Sequence, residues 1–135
     1  MDILEIQTRG AGLYEVTDQL LPLAHGTGLL SVFVRHTSCS LLIQENADPS
    51  VQTDLHNFFK RLAPHADHPD MGWITHRAEG PDDMPAHIKA AVLPVSLTIP
   101  VIKGNLALGT WQGVYLFELR DRAHLRQVVA TMMKG

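Results

Sequence analysis

The chain has only one cysteine, Cys39, so no disulfide bond can form within it. Aromatic residues are also few, at 6%, but hydrophobic residues make up 45% of the 135 residues. A chain of this length buries roughly two thirds of its unfolded surface, so it can build a core without disulfide or metal cross-links. We therefore predict a single domain over residues 1–135.

The chain also lacks any run of positive charge, since it has 11 basic and 14 acidic residues and a formal net charge of -3. Nucleic-acid binding depends on neutralising many phosphates, so we expect no nucleic acid as partner. No apolar stretch approaches the roughly 20 residues of a membrane-spanning helix. Residues 1–5 lack the basic and apolar regions of a signal peptide. The expected location is the cytoplasm, without membrane contact.

Short apolar segments rich in β-forming residues recur along the chain and predict strands. They cover residues 2–8, 29–35, 40–44, 95–102, 106–108, 113–119 and 125–133. The links between the later segments are short, which favours antiparallel pairing. One segment, residues 64–72, has the proline, glycine and polar content of a loop.

Two helices are predicted by their start signals and apolar stripes. Asp48 occupies an N-cap position and Pro49 the first helical position of one helix. The other runs from about residue 83 to 92, with Asp82 or Asp83 as its cap. Each carries apolar side chains at helical spacing.

A shorter helix is predicted from Thr17, as its cap, to Ala24. Helices inserted among mostly antiparallel strands predict an α+β fold. We expect a mainly antiparallel sheet, closed or nearly closed into a barrel or sandwich, with two or three helices.

Histidine is abundant, with eight in the chain, and three of these residues are candidate ligands. His36 and His76 each close a short apolar segment, and His87 lies beside the apolar stripe of the predicted second helix. Asp83 precedes His87 by four residues, so the two share a helix face. Three histidines with an open fourth position are typical of a catalytic zinc site. The alternative is that these histidines are unconnected surface or core groups, since no HExxH motif is present.

Glu118 lies in the segment 114–119, which is apolar on both faces. A carboxylate buried there must be paired, hydrogen-bonded or protonated. It is a candidate general acid or base, or a group that orients a histidine. The alternative is that the strand ends at Glu118 and leaves it in water.

Other side chains are weaker candidates. Trp111 and Gln112, between two glycines, could contact a ring-containing ligand, although a tryptophan is more often an apolar anchor. Ser38 lies two residues after His36, and both side chains are candidates to face a cleft. Cys39 could pair with His36 as a nucleophile, but a thiol in an apolar strand is more often a packing residue.

Taken in order, the motifs resemble the YjbQ-like family, also named the secondary thiamine-phosphate synthase family. The resemblance spans nearly the whole chain. It rests on His36-Thr37-Ser38-Cys39-Ser40, Glu45-Asn46 with Asp48-Pro49, His76, residues 79–89 (EGPDDMPAHIK), Pro100-Val101 with Gly104, residues 108–113 (LGTWQG) and Glu118.

The resemblance implies a small α+β fold and a homotrimer with sites near subunit boundaries. It implies that His36, His76 and His87 bind a divalent metal, zinc, and that the family has a weak thiamine-phosphate synthase activity. Glu118, His36 and Ser38 are then the catalytic candidates. Trp111, Gln112 and Arg126 are candidates for contacts with a small phosphorylated or heterocyclic metabolite.

This chain departs from the family pattern at two places. Gln44 stands where asparagine is frequent, and residues 119–126 (LRDRAHLR) contain no glycine, although Arg126 matches the expected arginine. Three kinds of function stay open at this point: a metal-dependent enzyme, a metal- or metabolite-binding protein without turnover, and a structural role for the histidines. An open ligand position on the metal would distinguish the first from the third.

Overall fold

The strands and helices alternate along residues 1–135, all of which the computed structural model describes. The strands are β1 (Asp2–Gln7), β2 (Gly12–Glu15), β3 (Gly28–Val34), β4 (Cys39–Glu45), β5 (Ser96–Ile102), β6 (Asn105–Leu106), β7 (Gln112–Glu118) and β8 (Leu125–Lys134). The α-helices are α1 (Thr17–Leu20), α2 (Pro49–Leu62) and α3 (Asp83–Val92). The predicted α+β class is confirmed.

The strands form two sheets, and every pairing is antiparallel, as the short links predicted. One sheet has the order β1-β8-β3-β5-β6, and the other has the order β2-β7-β4. The centre of the first sheet is held by β3 and β8, paired from Gly28 with Lys134 to Val34 with Val128. In the second sheet, Cys39 of β4 pairs with Glu118 of β7.

The main core lies between these two sheets. Alternate side chains of β3 and β8 point into it, and so do those of β4 and β7. Leu30 and Val32 from the large sheet meet Leu41 and Leu116 from the small one, and all four are fully buried. The result is a sandwich of two sheets.

A third layer, of helices, covers the other face of the small sheet. Phe117 of β7 points to this side, where it packs with Ala86 of α3 and the ring of Phe59 of α2. Strand β7 is therefore buried on both faces from Gly113 to Glu118. Its continuous apolar sequence reflects that position.

Local signals identified α2 and α3 but not every detail. Asp48 caps α2 by accepting a hydrogen bond from Ser50 N at 3.0 Å. The prediction that Thr17 caps α1 was wrong, because Thr17 lies inside the helix and its hydroxyl donates to Glu15. Strand β2 was missed. None of the helices is long and apolar enough to cross a membrane.

Candidate functional site

The segment between α2 and α3 is held in place by a small apolar cluster of its own. Ala66, Met71 and Ile74 are buried there and pack against Met84 and Ile88 of α3. The residues predicted as a loop, 64–72, include a short 3-10 turn at Pro69–Met71. This packing places the end of the segment, which carries His76, beside the first turns of α3.

Arg77 fixes the same segment through its guanidinium group. It donates to three carbonyl oxygens, at 3.0 Å to Ala66, 2.9 Å to Met71 and 3.2 Å to Ile74. These bonds close the segment on itself, so His76 is attached to an ordered support. Nothing in the sequence motifs had singled out Arg77.

His76 and His87 meet at one carboxylate, that of Asp83. The Nε2 atoms of His76 and His87 lie 2.7 Å and 3.2 Å from Asp83 Oδ2. The two rings are 5.6 Å apart between centroids. All three ligand atoms lie within 4.8 Å of one another. The structure therefore gathers two of the three predicted histidines, with Asp83 as the third member of the cluster.

The hydrogen bonds of His87 constrain what lies between it and Asp83. Its Nδ1 lies 3.0 Å from the Thr37 carbonyl oxygen, which can only accept, so Nδ1 carries a hydrogen. A neutral His87 would then present a lone pair on Nε2 to the Asp83 carboxylate, which is also an acceptor. Two acceptors at 3.2 Å require a proton or a cation between them.

Asp83 is fixed from its other side by Arg120. Arg120 Nη1 donates to Asp83 Oδ1 at 2.8 Å, and Arg120 Nε donates to Asp82 Oδ2 at 2.9 Å. Burial by itself would raise the pKa of Asp83, but the hydrogen bond from His76 and the charges of His87 and Arg120 outweigh it and lower the pKa. The carboxylate is thus ionised and held in one orientation.

The ring of His36 lies elsewhere. Its Nε2 accepts a hydrogen bond from Gln127 N at 2.8 Å, which continues the pairing of β3 with β8 beyond Val34. Burial and the charge of Arg126 lower the pKa of His36, so the ring is neutral with its proton on Nδ1. The neighbouring Thr37, rather than His36, makes the contact with His87.

Glu118 is fully buried and paired, so the alternative of a solvated strand end does not apply. It forms an ion pair with Arg126 of β8, whose Nε donates to Glu118 Oε1 at 2.9 Å and whose Nη2 donates to Oε2. Thr8 Oγ1 also donates to Oε1, at 2.7 Å. Ser38 Oγ accepts from Arg126 Nη2 at 3.0 Å. Three predicted site residues therefore form one buried network.

The charge state of this network follows from its contacts. Burial would raise the pKa of Glu118, but hydrogen bonds from Arg126 and Thr8 outweigh it and lower the pKa. Glu118 is thus an ionised carboxylate engaged by its partners, and its acid–base role stays a prediction. Burial raises the pKa of the Cys39 thiol to about 11, which fits a packing residue.

Trp111 and Gln112 lie at the far end of β7. Gln112 begins this strand and Glu118 ends it, so about 20 Å of extended chain separates them. Trp111 is 63% exposed, and Gln112 Oε1 accepts from Gly109 N at 2.8 Å. Within one chain these side chains are remote from the His76, Asp83 and His87 cluster, and their role in binding stays a prediction.

The cluster suits a divalent transition metal by its donor chemistry. Two imidazole nitrogens and one carboxylate oxygen form a donor set typical of zinc and iron sites, which leaves further positions open. The His76 side chain is 46% exposed, whereas that of Asp83 is 3% exposed, so the cluster is open on the His76 side. The spacing of Asp83 and His87 places them on one helix face, but no sequence motif marks Asp83 as a ligand.

Comparison with protein families and curated proteins gives one consistent result. The family model described as UPF0047 protein YjbQ-like matches residues 2–135. The UPF0047 protein sll1880 of Synechocystis is 48% identical over 132 residues, which cover 95% of this chain and 87% of that protein. The UPF0047 protein YjbQ of Escherichia coli is 42% identical over 134 residues, covering 96% of this chain and 94% of that protein.

Solved structures with the same fold include two bacterial proteins. A conserved hypothetical protein from Thermus thermophilus superposes with a TM-score of 0.86 at 35% identity, over 98% of this chain and 100% of that one. A protein of the YjbQ/UPF0047 family from Clostridium acetobutylicum gives a TM-score of 0.86 at 28% identity, with the same coverage.

Proposed function

The chain belongs to the UPF0047 YjbQ-like family, and from the geometry of its histidine cluster we propose that it is a metal-dependent enzyme. His76, Asp83 and His87 are the proposed ligands, and zinc is the proposed metal. The observation that carries the proposal is the convergence of three ligand atoms within 4.8 Å, with His87 Nε2 and Asp83 Oδ2 only 3.2 Å apart. A divalent cation between them satisfies both lone pairs at once.

The neighbouring residues orient this donor set. Arg120 holds Asp83 Oδ1, so Oδ2 is left to face the two imidazoles. The Thr37 carbonyl accepts from His87 Nδ1 and thereby fixes the tautomer whose Nε2 can coordinate. Such orienting contacts are typical of metal-binding histidines and carboxylates. A zinc ion held there would supply a Lewis acid for a phosphoryl or carbonyl oxygen.

The family resemblance also implies that His36 is a ligand and that the chain has thiamine-phosphate synthase activity. For His36 to bind the same metal, it would have to release Gln127 N, so we propose Asp83 in its place. The synthase reaction releases pyrophosphate, and that role favours magnesium held by oxygen donors. Imidazole donors favour zinc. We therefore propose a hydrolase or lyase acting on a small phosphorylated or heterocyclic metabolite, with synthase activity as a side reaction.

Elemental analysis of protein purified without chelator tests the metal proposal. We expect about one zinc per chain for the wild type, and a large loss of zinc for H87A and for D83N. H25A is the matched control, because His25 is an exposed histidine whose Nδ1 contacts the Leu23 carbonyl. No zinc in the wild type and no uptake on titration would refute the proposal.

Activity is tested separately from metal content. Hydrolysis of phosphate esters and formation of thiamine phosphate are measured for the wild type and for H76A, each with known zinc content. We expect both rates to fall with the loss of zinc. Equal rates in the two proteins would place the activity outside this cluster.

Self-association is the second part of the proposal, as the homotrimer that the family resemblance implies. It is supported by the outer face of the large sheet, where apolar side chains are exposed. Phe33 and Ile3 both pair with Val129 of β8, and Leu29 pairs with Met133. The Ser31–Thr131 pair lies between these two apolar groups. Exposed apolar side chains grouped in this way are typical of an interface. Light scattering should give three times the chain mass, and F33E should lower it; a wild-type monomer at micromolar concentration would refute self-association.

A further inference from the structure

A cavity of about 490 Å³ lies beside α3, with Lys89 among its lining residues. Lys89 follows His87 by two residues, so the two side chains leave the helix on different sides. Its walls come from α2, the segment 63–68, α3 and β7. This volume lies within the range of ligand pockets, which is roughly 300–1,000 Å³. The cavity and the histidine cluster are neighbours, because Asp82 lines the cavity and Asp83 belongs to the cluster.

Lys89 is the unusual residue of this cavity. It lies in α3 and is only 9% exposed, yet its ammonium group makes no hydrogen bond or ion pair with the protein. Every fully buried side-chain nitrogen or oxygen has a hydrogen-bond partner. Because the Lys89 ammonium has none, it is not fully buried and is accessible from the cavity. A buried charge without a partner costs free energy, so an anion that binds next to the Lys89 ammonium would be stabilising.

The carboxylates around the cavity make no ion pair with Lys89, although Asp121 and Asp82 lie near enough to attract its charge. Asp82 is held by Arg120, and Asp121 pairs with His65 at 2.9 Å. Lys60 adds a second ammonium to the lining. Burial, followed by the charges of Lys60 and Lys89, lowers the pKa of His56, a neighbour in the same wall. The lining also carries four carboxylates, so the attraction for an anion comes from the Lys89 ammonium at close range and not from the charge of the whole cavity.

Aromatic rings form another part of the wall. Phe117 packs edge-on against Phe59 with 5.6 Å between centroids, and His56 lies 6.1 Å from Phe117. All three line the cavity. Flat apolar surface beside a cation is suited to a planar ring that bears a negative group.

We propose that this cavity is a binding site, distinct from the histidine cluster, for a small organic anion with a ring. Its phosphate or carboxylate pairs with Lys89, and its ring packs beside Phe59, which is only partly buried, whereas Phe117 is covered by the protein. Lys60 contributes a weaker attraction at the cavity mouth, because it is exposed. The site does not depend on the proposed metal.

The test uses phenyl phosphate as the probe, with inorganic phosphate and phenol as its two halves. Binding to the full-length wild type is measured by calorimetry or by NMR titration. We expect phenyl phosphate to bind about tenfold more tightly than either half, since both the charge and the ring contribute. Equal affinity for inorganic phosphate and phenyl phosphate would overturn the assignment of a ring-bearing ligand.

The variant K89M keeps the length and the helix-forming character of the side chain and removes its charge. We expect it to bind phenyl phosphate about 10- to 100-fold more weakly, with K60M less affected. K103M is the control, because Lys103 lies in the turn before β6 and not in the cavity. Wild-type affinity in K89M would overturn the proposal.

Two further readouts separate this site from a structural role and from the metal site. The melting temperature of K89M without ligand should equal or exceed that of the wild type, because an unpaired buried charge has been removed. A lower melting temperature with undiminished binding would make Lys89 structural and overturn the proposal. Phenyl phosphate should still bind to H76A and to chelator-treated protein. Loss of binding there would assign the anion to the histidine cluster instead.

Discussion

Replacing Arg126 with methionine is a sharp test of the buried network, because it leaves Glu118 without its counter-ion. Arg126 is 4% exposed and Glu118 is fully buried, so water cannot replace the guanidinium. The change removes two hydrogen bonds to the carboxylate and two to Ser38. The expected result is a large loss of stability with little change in shape.

The loss of unfolding free energy that is expected for R126M can be calculated in two ways. Hydrogen bonds to charged groups contribute about 1.5–3 kcal/mol each, so two give about 3–6 kcal/mol. Removing one partner of a buried ion pair costs about 3–5 kcal/mol. The two calculations agree at about 4 kcal/mol, which is a large share of the roughly 5–15 kcal/mol that stabilises a domain. In thermal unfolding this corresponds to a fall in Tm on the order of 10 °C.

Urea unfolding at neutral pH, followed by circular dichroism, measures the loss. R126M with E118L is the matched control, because it removes both charges and should recover much of the stability. A loss below about 1 kcal/mol for R126M alone would refute the reasoning. It would mean that Glu118 is satisfied without Arg126 and is free for another role.

The pH dependence of the stability gives a second test of the ion pair between Glu118 and Arg126. The pKa of Glu118 in the fold lies below its usual value of 4.5, so its stabilisation is complete above that pH and is lost as the pH falls through the lowered pKa. The gap between the wild type and R126M should therefore be widest at neutral pH and narrow in acid. A gap that widens on acidification would contradict an ionised Glu118.

Three further predictions follow. G28A should destabilise the fold by about 1–3 kcal/mol, because its Cβ would lie 2.0 Å from the Met133 carbonyl oxygen, whereas G72A is a control with 3.7 Å to its nearest atom. Cys39 should react with a thiol reagent at neutral pH only after unfolding, since it is buried with a pKa of about 11; fast reaction of the folded protein would contradict this. R77M should lower zinc uptake without unfolding the domain, because it frees three carbonyl groups of the segment that carries one ligand; full uptake would show that the segment orders itself.

The sequence predicted most elements because their signals are local. The cap at Asp48 and the apolar stripe of α3 depend on residues within a few positions of one another. Strand β2 escaped because Gly12–Glu15 is short and is stabilised mainly by pairing with β7. The pairing partner is distant in sequence, so no local pattern indicates the strand.

For the candidate site, the sequence by itself determined which residue types were available and that Asp83 and His87 share a helix face. It also determined that a carboxylate at position 118 would need a partner, because the strand around it is apolar on both faces. It did not determine the partner. Arg126 reaches Glu118 because β8 and β7 face each other across the core.

Only the tertiary structure decided which histidines meet. His76 reaches Asp83 because the segment 63–82 packs on α3, while His36 is held near the start of β8 by Gln127 N. Distances between such side chains depend on strand register and on packing between layers, which sequence spacing does not encode. The chain therefore determines the chemistry it can use, and the packing of its layers determines where that chemistry is assembled.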